Sequence, residues 1–362
     1  MKIDVVKIVG DGIGQELMPM VLKVFDEVLK KAYNRTKYIN WIDTNIGESA
    51  IKNGELPISD NSINLIKDSK YAIKGPLTTP IGNGNRSYNV ALRQILDLYA
   101  CVRRVEYYPN VPSPLKKPEG IDISIIRENT EDLYMGFEFD ENDAFSELLC
   151  DKFGLDKQKK YAFGIKPISE KSSNRIMNFA IEYANKYSKN KICTTHKGNI
   201  MKFTEGGFLK WCVEAFNKNP VATNLTHTSI ITDALFQDII LKPQEFDVIV
   251  APNLTGDYLS DACAALVGGL GITSGVNAND DIRIYEPIHG TAPSIAHLGI
   301  ANPTAMLNCG NLLFEDLGLT DAAFILKQAI QNNYIQNNLT CDLKPQGYVT
   351  NKQFINNLIR SI

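Results

Sequence analysis

The chain has 362 residues, 44% hydrophobic and 22% charged, with a net charge of −3. That length buries a large core in one big domain or two intertwined ones, and the mildly acidic balance argues against a nucleic-acid binder, which needs a basic excess to neutralise phosphates. No apolar run approaches the ~20 residues that span a bilayer, and the N-terminal MKIDVVKIVGDGIG lacks the apolar stretch and small-residue cleavage site of a secretory signal. Seven cysteines without Cys-x-x-Cys or Cys/His ligand spacing read as reduced, scattered thiols of a cytoplasmic protein.

Apolar strands alternate with amphipathic helices along the chain. Ile3 to Val9 predicts a buried strand, followed by the turn Gly10-Asp11-Gly12-Ile13-Gly14. Leu17, Val21, Val24 and Val28 then recur at helical spacing. Ile121 to Ile126 predicts a strand ending in Arg127, and the segment 137–163 is charged and weakly periodic, an irregular insertion projecting from the body. Ile176, Ala180, Tyr183 and Tyr187 mark a helix leading into a strand at 191–195. A helix over 203–216, a strand over 247–251 and a helix over 257–267 follow. The alternation predicts an α/β fold with its chemistry at strand ends and the loops after them.

Four dense polar blocks stand out from this frame. KGPLTTPIGNGNRSYNVALR at 74–93 offers few apolar side chains to bury and predicts a pocket for a small polyanion beside a second ligand. RENTEDLY (127–134), THKGNIMKFTEG (195–206) and NLTGDYLSDA (253–262) complete the set. Asp257 and Asp261 are four apart on a predicted helix and share a face. Like charges at that spacing repel by roughly 0.2–0.5 kcal/mol on an exposed helix, a sign that a divalent cation reverses. Hard oxygen ligands favour Mg²⁺ or Mn²⁺. Asp233 is a third candidate carboxylate, or a helix cap. Arg93, Arg103 and Arg127, with Ser87 and Asn89 as neutral donors, suit a substrate bearing several carboxylates. Tyr134 and Lys197 serve as acid or base only when neighbours shift their pKa values; taken singly they read as a core tyrosine and a surface lysine. Gly10-x-Gly12-x-Gly14 lacks GxGxxG spacing. EPIHGTAPSIAHLGIANP at 286–303 is a better nucleotide loop, because its small residues allow close backbone approach.

In this order the blocks resemble the β-decarboxylating dehydrogenase family, the isocitrate and isopropylmalate dehydrogenases, from KIVGDGIG to about residue 316. Within it, RSYNVALRQILDLYACVR is similar to the bacterial type of isocitrate dehydrogenase. The resemblance implies two lobes around a large mixed sheet rather than a GxGxxG Rossmann domain. A large cofactor-binding domain would comprise 1–98 plus 268–362, a small dimerisation and substrate domain 99–131 plus 164–267, and a clasp-like insertion 132–163. It implies that Ser87, Asn89, Arg93, Arg103 and Arg127 bind isocitrate, that Tyr134 and Lys197 form the catalytic pair, and that Asp233, Asp257 and Asp261 hold Mg²⁺ or Mn²⁺. Lys197 and Asp233 would reach into the partner's site, making the active unit a homodimer. Thr78, Glu286, His289, Gly290, Thr291, Ala292, Ser294, Ile295 and Asn302 would line the cofactor.

NADP-using relatives carry Lys-Tyr after HGTAP, where this chain has Ser294 and Ile295, and a Tyr and an Arg further on, where it has Cys341 and Pro345. On those departures the expected cofactor is NAD, with NADP the alternative. Homoisocitrate is an alternative substrate. A non-catalytic regulatory subunit is the reading of a different class.

Overall fold

Ten strands join into one mixed sheet in the computed structural model, which describes residues 2–78 and 87–362. The glycine-rich turn within 74–93 falls at 79–86, outside the described residues. The first lobe opens with β1 (Lys2–Ile8), α1 (Ile13–Tyr33), β2 (Tyr38–Asp43), α2 (Glu48–Lys52), α3 (Asp60–Ser69), β3 (Tyr71–Lys74) and α4 (Tyr88–Ile95). The chain crosses through β4 (Ala100–Glu106) and β5 (Asp122–Glu128). A 3₁₀ turn at Asp132–Met135 precedes β6 (Glu138–Phe139), α5 (Ala144–Phe153) and β7 (Phe163–Gly164). The second lobe holds α6 (Glu170–Lys186), β8 (Lys191–His196), α7 (Glu205–Lys218), β9 (Thr226–Ile231), α8 (Thr232–Leu241), β10 (Val248–Ala251) and α9 (Asn253–Leu266). The return runs through β11 (Ser274–Ala278), β12 (Arg283–Pro287), α10 (Thr304–Asp316), α11 (Thr320–Ile335) and α12 (Asn351–Ser361).

The sheet order is β2-β1-β3-β12-β11-β4-β5-β10-β8-β9. Its two flanks are parallel, as βα alternation requires. β11 and β4 make the antiparallel centre, where β12 meets β11, β11 meets β4 and β4 meets β5 in opposite directions. The strands expected at 3–9, 121–126, 191–195 and 247–251 are β1, β5, β8 and β10. Leu17, Val21, Val24 and Val28 of α1 are fully buried, as their spacing predicts. The segment 137–163 corrects the irregular reading. Phe139 pairs with Phe163 across β6 and β7, and Asp143 caps α5 by accepting the Phe145 N–H at 2.8 Å. That order is invisible to periodicity because α5 buries few of its residues.

Alternation along the strands decides where the polar groups go. One large core covers one face of the sheet and takes Ile73, Val102, Ile126, Val276 and Tyr285. The opposite face carries two smaller cores. One takes Ala72 and Ile284 with Leu92 of α4; the other takes Val105, Ile123 and Ile125 with Leu235 of α8 and Leu259 of α9. Lys74, Arg103, Arg127 and Glu286 have the parity of these smaller cores. They therefore project from that face into the gap between the two, where buried charge replaces apolar packing. Among the described residues, no helix is long and apolar enough to cross a membrane, and all seven cysteines are unpaired.

Candidate active site

Arg103, Gly275 and Glu286 stand in one row across β4, β11 and β12. Because the middle residue has no side chain, Arg103 reaches over it to Glu286. A β-carbon on Gly275 would lie 2.9 Å from Arg103 Cδ and 2.4 Å from the Val102 carbonyl. Arg103 Nη2 donates to Glu286 Oε1 at 3.1 Å, Arg93 Nη2 donates to the same oxygen at 3.3 Å, and Lys74 Nζ lies 2.8 Å from Oε2. Burial alone would push the Glu286 carboxyl up. The Lys74, Arg103 and Arg93 charges outweigh it and hold the group well below the ordinary carboxylate range. Three buried cations thus share one protein carboxylate. Arg93 Nε and Arg103 Nη1 remain buried without a protein partner. Buried donors are normally satisfied, so these two, beside three cations that share one carboxylate, suit an anionic ligand. Asn89 and Arg93 lie four apart on α4, which Ser87 opens; the Asn89 Oδ1 is also buried and unpartnered.

The second cluster is built on β5 and α9. Arg127 is fully buried and donates through Nε and Nη2 to Asn253 Oδ1 at 2.9 and 2.6 Å, while its Nη1 pairs with Asp257. Gly256 clears its path, since a β-carbon there would meet Arg127 Cγ at 2.7 Å and Cβ at 2.8 Å. Tyr134 donates to the other Asp257 oxygen at 2.6 Å, with the Arg127 guanidinium 4.8 Å over its ring. Burial, reinforced by Asp257 and opposed by Arg127, raises the Tyr134 pKa, so the phenol is protonated at neutral pH. Asp257 goes the other way. Burial would raise it, but Arg127 and the Tyr134 hydroxyl carry it below the ordinary range. Asp261, one turn on, is raised by loss of surrounding water and by the Asp257 charge. Two hard carboxylates a turn apart, one of them held above its ordinary range by burial and by its neighbour's charge, fit a divalent cation.

Lys197 and Asp233 do not join this cluster. Lys197, in the loop after β8, pairs with Asp233 in the first turn of α8, and Asp233 is exposed. Among the described residues, no three acidic, histidine or cysteine side chains converge to hold a metal, so Asp233 does not meet Asp257 and Asp261 within one chain.

Of the nucleotide candidates, Thr78 and Thr291 contact the turn after β1. Ile13 N–H donates to the Thr291 carbonyl at 3.0 Å, and Gly12 approaches so closely that a β-carbon would fall 2.1 Å from that oxygen. Thr78 N–H donates to Asp11 Oδ2 at 2.8 Å. His289 Nδ1 lies 3.0 Å from the Gly290 carbonyl, which only accepts, so Nδ1 carries the proton and Nε2 is a buried, unpartnered acceptor. Burial lowers its pKa and keeps the ring neutral. That acceptor beside the exposed Gly290 and the left-handed Ala292 (φ 42°) fits a base with amino donors. Ser294 is exposed, and Ile295 packs on the large core. Asn302 is buried and occupied: its amide donates to Asp342 at 3.0 Å and its carbonyl accepts the Thr304 N–H. Glu286 likewise serves the arginine cluster. Sequence reasoning gives Lys74, Asp11, Asn253, Gly256 and Gly275 no role of their own, although all but Gly275 lie in segments it singles out. Their contacts with residues far apart in the chain reveal those roles.

A family model described as isocitrate/isopropylmalate dehydrogenase matches residues 4–358. The isocitrate dehydrogenase [NADP] of Streptococcus salivarius is 43% identical over 357 residues, covering 94% of this chain and 91% of that protein. The isocitrate dehydrogenase [NADP] of Archaeoglobus fulgidus is 40% identical, covering 92% and 86%. The crystal structure of isocitrate dehydrogenase from Methylococcus capsulatus superposes with a TM-score of 0.86 at 32% identity, covering 99% of each chain. The cofactor named for both sequence relatives overturns the expectation of NAD. That expectation rested on missing side chains at Ser294, Ile295, Cys341 and Pro345. A serine hydroxyl donates to a phosphate oxygen as readily as it bonds a ribose hydroxyl, so the position does not discriminate.

Proposed function

Because the chain belongs to the isocitrate/isopropylmalate dehydrogenase family, we propose that it oxidatively decarboxylates isocitrate to 2-oxoglutarate and CO₂ with NADP as acceptor. The observation that carries this is the shared grip on Asp257: a carboxylate-binding arginine and a protonated tyrosine meet on one aspartate, a helical turn from a second. The relatives' names support isocitrate and NADP.

In this reading Arg93, Arg103 and Arg127 hold the substrate carboxylates, with the bare Arg93 Nε and Arg103 Nη1 as ready donors. Ser87 and Asn89 read the outermost carboxylate. Asp257 and Asp261, with the partner's Asp233, would hold Mg²⁺ or Mn²⁺. When bound, the metal acidifies the substrate hydroxyl and stabilises negative charge, and NADP⁺ accepts the hydride from C2. Lys197 of the other subunit takes the hydroxyl proton. After CO₂ leaves C3, Tyr134 donates its phenolic proton to that carbon, which its raised pKa keeps available. That Asp233 does not meet Asp257 and Asp261 within one chain supports a homodimer with shared sites. So do the exposed Phe137, Leu148 and Phe153 of the 132–163 clasp, whose apolar surface calls for a partner. The proposed domain division follows the two smaller cores, and unpaired thiols suit a cytoplasmic location.

The test measures reduced-nicotinamide absorbance with purified protein and Mn²⁺, giving kcat/KM for isocitrate and homoisocitrate, each with NADP and NAD. The isocitrate–NADP pair should win. Failure to reduce either acceptor with isocitrate refutes the proposal.

A further inference from the structure

We propose that Lys166 is a positioning residue that ties together the two catalytic side chains of one chain, Tyr134 for its own site and Lys197 for the partner's. This rests on the functional reading above. The Lys166 ammonium stands between two carboxylates, 2.7 Å from Glu205 Oε1 and 3.0 Å from Asp132 Oδ1. Both carboxylate side chains are 2% exposed, and Lys166 is 15% exposed. It is thus the cation that makes two buried negative charges tolerable side by side.

Each carboxylate also holds a catalytic segment. Glu205, the first residue of α7, accepts the backbone N–H of Lys197 with its other oxygen. Asp132 opens the 3₁₀ turn that carries Tyr134 and accepts the Leu133 N–H at 2.7 Å. Its second oxygen accepts the Leu254 N–H at 3.1 Å, in the first turn of α9, the helix of Asp257 and Asp261. Asp132 sits at φ 69°, a left-handed conformation that a non-glycine residue keeps only when its surroundings hold it there. Its own N–H donates to the carbonyl of Pro167, the residue after Lys166. The bridge therefore runs from the Lys197 backbone through Glu205, Lys166 and Asp132 to the Tyr134 turn and α9. Without the ammonium, two buried carboxylates face each other uncompensated, and a buried charge persists only when paired. Both lose the cation that fixed them and repel each other. As Glu205 shifts, Lys197 is loosened, and as Asp132 shifts, Tyr134 is loosened with it.

The experiment compares Lys166→Met and Lys166→Arg with the parent protein, by steady-state kinetics with isocitrate and by hydrogen exchange without substrate. Lys166→Met should lower kcat by about ten- to hundredfold, the scale of an ångström-sized misplacement, while KM for isocitrate moves far less, because Arg93 and Arg103 are not part of the bridge. Lys166→Arg should restore most of kcat. Exchange should quicken together at 130–135 and 195–201 in Lys166→Met and leave β1 unchanged. An unaltered kcat, or loss of protection in only one of the two segments, overturns the proposal. If the parent itself fails to oxidise isocitrate, the functional reading falls and the exchange arm alone decides the bridge. Should Lys166→Met not fold, Lys166→Gln replaces it with the same expectations.

Discussion

Gly256→Ala isolates the grip on the substrate from the stability of the fold. Gly256 is buried in α9 with ordinary helical backbone, so alanine meets no conformational barrier and gains about 1 kcal/mol of helix propensity. The added methyl would meet Arg127 Cγ at 2.7 Å and Cβ at 2.8 Å. These atoms belong to the stem of the side chain, which cannot swing aside as a guanidinium tip does. Reaching ordinary carbon–carbon contact takes about 1 Å of displacement, and overpacking of that kind costs about 1–3 kcal/mol. The two stability effects largely offset, so Tm should fall by no more than a few degrees. The catalytic effect does not offset. An ångström of misplacement at the guanidinium costs about a hundredfold in kcat/KM, or about 2.7 kcal/mol of transition-state stabilisation. Steady-state kinetics with varied isocitrate, beside a thermal melt, tests this. A variant with kcat/KM near the parent's would show that Arg127 does not depend on the clearance that Gly256 provides.

Three further outcomes follow from the same geometry. Tyr134→Phe should lower kcat by about 10²–10⁴-fold, the range for loss of a general acid, with isocitrate binding by calorimetry nearly unchanged. Asp261→Asn should raise the Mn²⁺ concentration for half-maximal activity by at least about tenfold, and a chelator should abolish parent activity until Mn²⁺ or Mg²⁺ is returned. Glu286→Gln leaves Lys74, Arg93 and Arg103 uncompensated and should destabilise by about 3–5 kcal/mol. The folded Glu286 carboxyl lies well below its ordinary value, so its contribution is full above the unfolded pKa of ~4.3 and is lost as pH falls toward the folded one. The Tm gap between parent and variant should be widest near neutrality and close in acid; a gap independent of pH would refute the charge argument.

Features that depend on near neighbours in the chain are legible in the amino-acid sequence alone. Asp257 and Asp261 share a helix face because four residues make about one turn, and Arg127 lies near the end of its strand, one residue before Glu128 closes it. What escapes depends on strand register. Glu286 reads as a nucleotide-loop residue from its neighbours, yet its partners Arg93 and Arg103 lie 193 and 183 positions away. Gly275 matters because two foreign strands place Arg103 and Glu286 on either side of it. Lys166 looks like a surface lysine until Asp132 and Glu205 close around it. The cofactor expectation failed for a different reason: absent side chains set no positive contact, whereas each successful reading rested on groups that were present.

The order of strands also bears on how the chain is made. β3 lies between β1 and β12, and β12 begins roughly two hundred residues downstream of it. At about 5–20 residues per second, a ribosome leaves one edge of β3 unsatisfied for on the order of ten to forty seconds, with Ala72 and Ile73 lacking their final neighbours. Such late closure makes folding slow and the nascent first lobe prone to adhesion. A chaperone that shelters that edge during translation would therefore have to hold it until after every catalytic residue of the second lobe has been made.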